Sequence, residues 1–175
     1  MLKFAFGCNL HKMKQFEVKA LVKECSYEEL DDERRELVDK AKEATRNSYA
    51  PYSKFHVGAA ILLENGKIVT GSNQENIAFP SGMCAERTAA FYASSANPGV
   101  AFKKLAVAAW SASRDCSDWE KCFQDTPISP CGGCRQALIE YERINGPIEV
   151  ILYGQTKTFI LPSISALLPL GFIDF

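Results

Sequence analysis

Between residues 28 and 48, in EELDDERRELVDKAKEATRNS, apolar side chains recur at Leu30, Leu37, Val38, Ala41 and Ala44. That spacing draws one stripe along a helix. Acids crowd its start and bases its end, the order that suits the helix dipole, and Pro51 sets a limit it cannot pass. The pattern then changes. FHVGAAILLENGKIVTGSNQEN is a pair of apolar runs hinged on Asn65-Gly66, which predicts a β-hairpin. A second helix is expected from about Ala85 to Ser95, a buried strand at KLAVAAW, and a third helix from about Gly133 to Arg143. IEVILYG and KTFIL supply two more strands, and SISALLP a short closing helix. The stretch from Ser111 to Pro127 is polar and irregular.

Elements in this order predict an α/β fold in three layers, a mixed five-stranded sheet with helices on both faces. Parallel neighbours in such a sheet need crossovers, which the second and third helices can supply. Residues 28–175 are expected to form a single domain, with 1–27 as a loosely ordered N-terminal extension. Met13 opens MKQFEVKALV and offers an alternative start.

Composition narrows the functions available. With 175 residues, 47% of them hydrophobic, the chain can bury one core and is short for two. A net charge of -1 and the lack of any basic run argue against a nucleic-acid partner, because neutralising phosphates takes clustered Lys and Arg. The opening MLKFAFGCNL is too short in apolar length to span a membrane or to form a secretory core. Seven cysteines, an odd number with no secretory signal, argue against a disulfide framework and place the chain in the reducing cytoplasm.

Three of those cysteines have the placement of ligands. Cys131 and Cys134 are spaced as a two-thiolate clamp in the turn that opens the third helix, and Cys84 opens the second. Free N–H groups at helix starts stabilise thiolates, and helices leading from neighbouring strands can bring their starts together. The result would be a three-thiolate zinc site with its fourth position open to water. CGGC alone fits a redox pair or ordinary core cysteines as well. The acid beside Cys84, Pro130 before the pair, and the spacing of both histidines, unsuited to ligation, favour zinc. Cys8, Cys25, Cys116 and Cys122 lack ligand spacing and are expected to be free thiols; His56, on a predicted strand, is expected to be structural or a surface residue.

Glu86 and Arg87 stand two and three positions after Cys84. One carboxylate beside the metal can take a proton from water and pass it to a leaving group, although an acid in a helix's first turn also has a purely structural use. A guanidinium one turn from Cys84 can donate to the sulfurs and draw off excess negative charge from three thiolates, or can serve as a surface ion pair.

CAE followed by PCGGC resembles the zinc deaminase signature of a ligand, then Glu, then P-C-x-x-C. SYAPYSKFHVGAA, GSNQENIAFPSGMCAERTA, SPCGGCRQAL and LLPLGF extend the match over roughly residues 45 to 172, and together resemble the short, homotetrameric cytidine deaminases of free nucleosides. The resemblance implies one zinc per subunit and conversion of cytidine and 2'-deoxycytidine to uridine and 2'-deoxyuridine. It implies that Asn73 and Glu75 bind the ribose hydroxyls and that Phe55 packs on the pyrimidine. It further implies that the carbonyls of Ala85 and Ser129 meet the base's exocyclic amine, that Gln136 supports a thiolate, and that Phe172 reaches into a neighbouring subunit's site. Taken alone, NQEN is a polar turn, Phe55 a core residue and Phe172 a terminal apolar one. Phe79 stands where many members carry Tyr, and the stretch from Ser111 to Pro127 is longer than in compact members.

Rival substrates share the zinc core. Free bases, nucleotides and aminonucleosides are disfavoured by the ribose pair and by the absence of a flanking Arg or Lys for a phosphate. A polynucleotide deaminase would want a basic channel and stacking aromatics. A non-catalytic zinc-stabilised binding module would normally have four protein ligands, and the sequence offers only three.

Overall fold

The computed structural model describes residues 14–112 and 118–173, so Cys8, Cys116 and the alternative start at Met13 lie outside the described residues. Strands β1 (Lys23–Cys25), β2 (Phe55–Leu63), β3 (Ile68–Ser72), β4 (Phe102–Ser111), β5 (Glu149–Leu152) and β6 (Thr158–Leu161) form one mixed sheet in the order β1-β6-β5-β4-β2-β3. Helices are α1 (Asp32–Ala44), α2 (Ala85–Ala96) and α3 (Gly132–Asn145). The sheet therefore has six strands where five were expected. The sixth, β1, comes from the supposed extension and pairs antiparallel with β6, Lys23 opposite Ile160 and Cys25 opposite Thr158. Three residues reading Lys-Glu-Cys carry no apolar alternation that could announce a strand; the free edge of β6 creates it.

The predicted hairpin is present. Gly66 sits at φ 81, the left-handed conformation its turn needs, and the Lys67 carbonyl accepts from the Leu63 N–H at 2.8 Å. Helix α1 is shorter than its apolar stripe, starting where the Asp31 carboxylate caps the Arg34 N–H and relaxing into a single 3-10 turn at Thr45–Asn47. The closing helix is likewise one 3-10 turn, Ser165–Leu167.

Both faces of the central strands are buried. Along β2, Ala59, Ile61 and Leu63 join the core under α2 and α3, while Ala60 and Leu62 join the core under α1. Strand β4 divides in the same way, with Leu105 and Val107 on one side and Ala106 and Ala108 on the other. This is why both strands are continuous apolar runs rather than alternating ones.

Topology then fixes where chemistry can occur. Strands β3 and β4 are each antiparallel to β2, hence parallel to one another, and β4 is parallel to β5. The returns β3-α2-β4 and β4-α3-β5 therefore send both helices back the same way and start them at the same end of the sheet. Helix α2 can lie close on β3 because of Gly71, where a Cβ would stand 2.4 Å from the Ala89 nitrogen.

Candidate metal centre and active site

The two helix starts carry the three predicted ligands. Cys84 is the N-cap of α2, Cys131 the N-cap of α3, and Cys134 lies in the first turn of α3. Their sulfurs all lie within 4.8 Å of one another, with Cys84 and Cys131 Sγ 3.8 Å apart across 47 residues of chain. Neither N-cap side chain caps a backbone N–H of its own helix, which leaves both thiols to face the cluster. The Arg87 Nη2 donates to Cys84 Sγ at 3.6 Å, while its Nε is buried without a hydrogen-bond partner.

The electrostatics ask for a cation. Hydrogen bonding from the Cys134 thiol, then from Arg87 and the Cys131 thiol, outweighs burial and brings the Cys84 thiol down to about 5. The Cys134 thiol is pushed up by its bond to Cys84, by burial and by Glu86, so without metal the cluster retains protons it would release on binding one. Three soft thiolates, close enough to share one ion and set at two positive helix ends, fit zinc.

Glu86 is only 4% exposed. Burial raises its carboxyl above the ordinary range, with the Cys84 charge adding to the rise and its own N–H and the Cys134 thiol offsetting part of it. A buried acid with raised proton affinity beside three thiols is equipped to accept and return a proton.

An open cavity of about 310 Å³ lies against Cys84 and Arg87, lined also by Asn73, Glu75, Phe79 and Met83. Mutual backbone bonds of 2.8 Å between Gln74 and Met83 bring the stretch after β3 alongside the metal ligand. Asn73 has much of its side chain committed. Its Oδ1 accepts from the Val57 N–H at 2.8 Å and the Ser48 hydroxyl at 2.5 Å, and its Nδ2 donates to the Phe55 carbonyl at 2.9 Å. Glu75 accepts through Oε2 from the Tyr52 N–H at 2.9 Å and the Ser53 N–H at 3.3 Å, and the Ser53 hydroxyl leads the bonds that hold it ionised.

The remaining expected residues have the following surroundings. Ala85 is fully buried and its carbonyl faces Gly71 of β3, where an added Cβ would stand 2.7 Å from it. Because Ala85 is the first residue of α2, that oxygen is turned into the fold. Phe55 is half-buried on β2 and does not line the cavity. The Ser129 hydroxyl accepts from Arg135 Nη2 at 2.9 Å, and Ser129 borders a separate apolar cleft with Pro127 and Leu152. Gln136 has no hydrogen bond to a sulfur among the described residues. Its Nε2 donates to the Phe172 carbonyl at 2.7 Å, and its Oε1 accepts from the Phe172 N–H at 3.3 Å. Phe172 itself is 70% exposed. His56 is structural, stacked on Trp110 with ring centroids 4.2 Å apart.

The long stretch after β4 is tied to α1, with Arg46 3.7 Å from the Trp119 ring centroid and Lys42 paired to Glu120 at 2.5 Å. Its part at 113–117 lies outside the described residues. Arg135 and Glu142, which organise the segment after β6, escaped the sequence reading because most of their partners are backbone atoms, which leave no motif.

The profile of the cytidine and deoxycytidylate deaminase zinc-binding region matches residues 31–146. The chain belongs to this deaminase family. The cytidine deaminase of Sporosarcina psychrophila is 41% identical over 137 residues, which are 78% of this chain and 88% of that protein. Among solved structures, the cytidine deaminase of Burkholderia pseudomallei superposes with a TM-score of 0.64 at 36% identity, covering 82% of this chain and all of that one. The Mycobacterium tuberculosis cytidine deaminase gives 0.62 at 28% identity over the same shares. Membership in a zinc-binding deaminase family agrees with the three-thiol cluster, and the chain is a zinc-dependent deaminase. Among the described residues no helix is long and apolar enough to cross a membrane.

Proposed function

We propose that this deaminase hydrolyses cytidine and 2'-deoxycytidine to uridine and 2'-deoxyuridine with release of ammonia. The observation that carries the reading is the buried Glu86 carboxyl beside the cluster of Cys84, Cys131 and Cys134, with Cys84 itself lining a cavity that Asn73 and Glu75 also border. Zinc, when bound by the three thiolates, supplies Lewis acidity that makes water a nucleophile near neutral pH. Glu86 takes a proton from the attacking water and delivers it to N3 of the pyrimidine as oxygen bonds to C4. It then carries the second water proton to the exocyclic amine, and the C4–N bond breaks to leave a carbonyl and ammonia. Arg87, donating to Cys84, holds that thiolate's charge in check.

Asn73 and Glu75 are assigned to the ribose. The second Nδ2 proton of Asn73 and the Oε1 of Glu75 are not used by the bonds that orient these side chains, and both residues border the cavity. An ionised Glu75 would repel a phosphate, which favours an unphosphorylated nucleoside over a nucleotide.

We assign a homotetramer in which Phe172 of one subunit enters the site of another. Support comes from the exposure of Ile77, Phe79, Leu170 and Phe172, at 82%, 75%, 83% and 70%, apolar surface of a kind that marks interfaces. Sedimentation of the purified protein tests the assembly. Residues 28–175 are assigned to one deaminase domain, to whose sheet the preceding segment adds β1, and the chain to the cytoplasm, where the ligand thiols stay reduced.

The deciding experiment follows ultraviolet absorbance of zinc-replete protein with cytidine, deoxycytidine, CMP, cytosine and adenosine, using Glu86→Gln as control. Loss of cytidine absorbance with wild type alone is expected. A folded, zinc-loaded protein that turns over none of them would move the reading to a nucleoside-binding module.

A further inference from the structure

One face of α3 acts as a template for the end of the chain. At its far end, the Glu142 carboxylate accepts from the N–H groups of Ile148 at 3.1 Å, Ile164 at 2.6 Å and Ser165 at 3.0 Å. Nearer the metal, Arg135 Nη1 donates to the Leu167 carbonyl at 2.7 Å while its Nε donates to the Pro130 carbonyl at 2.7 Å. In the same turn, Gln136 closes a two-bond ring with the main chain of Phe172. Between these anchors Leu170 is held at φ 56, a left-handed conformation that a branched residue adopts only under constraint. The last contacts in this series belong to residues one and two positions after Cys134.

We infer that Gln136 is a positioning residue that fixes the Phe172 backbone on the metal-bearing helix, so that the ring is presented outward at a set distance from the zinc ligands for use in a neighbouring subunit's site; this rests on the function proposed above. The Phe172 N–H and carbonyl sit one on each side of the Cα that bears the ring, so an amide engaging both restricts rotation of the backbone there. A single-bond anchor would leave it a pivot. Nothing further along the described chain needs to be ordered for this to work, because the two bonds act at the residue itself. Gln136 touches no substrate. It acts through Phe172, and its effect is to pre-pay the ordering of an exposed aromatic before substrate arrives.

The test is a double-mutant cycle in the full-length, zinc-loaded protein, with Gln136→Met and Phe172→Ala alone and together. Steady-state kinetics on cytidine, zinc content and hydrogen exchange at the Phe172 amide are read for each. Gln136→Met keeps the side chain's bulk and removes both bonds. It is expected to raise KM on the order of tenfold with kcat changed by less than about twofold. Zinc content stays at wild type and the Phe172 amide exchanges faster. Added to Phe172→Ala, it should raise KM no further. Gln136→Glu, which keeps the acceptor for the Phe172 N–H but loses the donor, should fall between, and it carries the cycle if the Met variant does not fold. Additive effects of the two substitutions, or loss of zinc from Gln136→Met, would overturn the positioning role and point to the metal site instead. If wild type fails to turn over cytidine, the function reading falls and takes this role with it, whereas active wild type with an unchanged KM in the variants overturns the role alone.

Discussion

Arg87 reaches back one turn of α2 to place Nη2 3.6 Å from the sulfur of Cys84, while its Nε remains buried without a partner. A cation so placed moderates the charge of a three-thiolate centre and is itself held by that charge; the same contact raises the guanidinium's own proton affinity. Arg87→Ala is expected to weaken zinc binding by about 10–100-fold. Competition against a chromogenic chelator measures this directly. Unchanged zinc affinity would reduce Arg87 to a packing residue.

Complete removal of zinc should abolish turnover, and re-addition should restore it. The stripped protein exposes a cluster in which Cys84 is already ionised near neutral pH, so one thiol should react with a disulfide reagent faster than the rest. Uniform reaction of all accessible thiols would contradict that ordering.

Glu86→Gln should keep the fold and the metal while lowering kcat by at least about 100-fold. A second consequence concerns stability. Burial raises the folded-state pKa of Glu86 above its ordinary value of 4.5, so ionising it costs the fold as pH rises through that raised value. In zinc-free protein, Glu86→Gln is therefore expected to melt higher than wild type at neutral pH. The advantage should shrink as pH falls toward the ordinary carboxyl range. A lower melting temperature at pH 7 would contradict the burial argument.

Glu149 has the opposite sign. Burial pushes its carboxyl up, but bonds from Arg34 at 2.7 and 2.9 Å and from Lys104 at 2.9 Å outweigh this and hold it below 4.5. Its contribution is thus present above pH about 4.5 and lost as pH falls through the depressed value. Glu149→Gln should cost about 2 kcal/mol at pH 7 in chemical denaturation, and the difference from wild type should narrow in acid.

Gly71→Ala tests the seating of α2. The new methyl would meet the Ala89 nitrogen at 2.4 Å and the Ala85 carbonyl at 2.7 Å, backbone atoms that cannot step aside singly. The helix must lift, at a cost of about 3 kcal/mol, and the residues at its start move with it. Both melting temperature and kcat should fall. Wild-type values for both would mean that the contact relaxes.

The hairpin was legible because Asn65-Gly66 hinges two apolar runs, and the helix bodies because each buries a face with the helical period. The metal cluster was legible because ligand spacing is local within α3 and each ligand set opens a helix. Strand β1 was not, since it exists by courtesy of β6. The commitments of Asn73 and Gln136 were invisible for a related reason. Their partners include main-chain atoms of Val57 and Phe172, and any residue type supplies those atoms. The motif resemblance named both positions, while the folded chain gives the direction in which each side chain bonds.

The parallel course of α2 and α3 has a consequence for how this enzyme tolerates change. Residues 84–89 hold the thiol, carboxyl and guanidinium proposed above for zinc binding, proton transfer and charge moderation and, at Ala89, the contact that seats the helix on the sheet. A random-mutation survey scored only by activity would therefore find one dense band of intolerance there and could not separate chemical from architectural lesions. Scoring abundance alongside turnover splits the band: Glu86 should emerge as abundant and inactive, Ala89 as scarce.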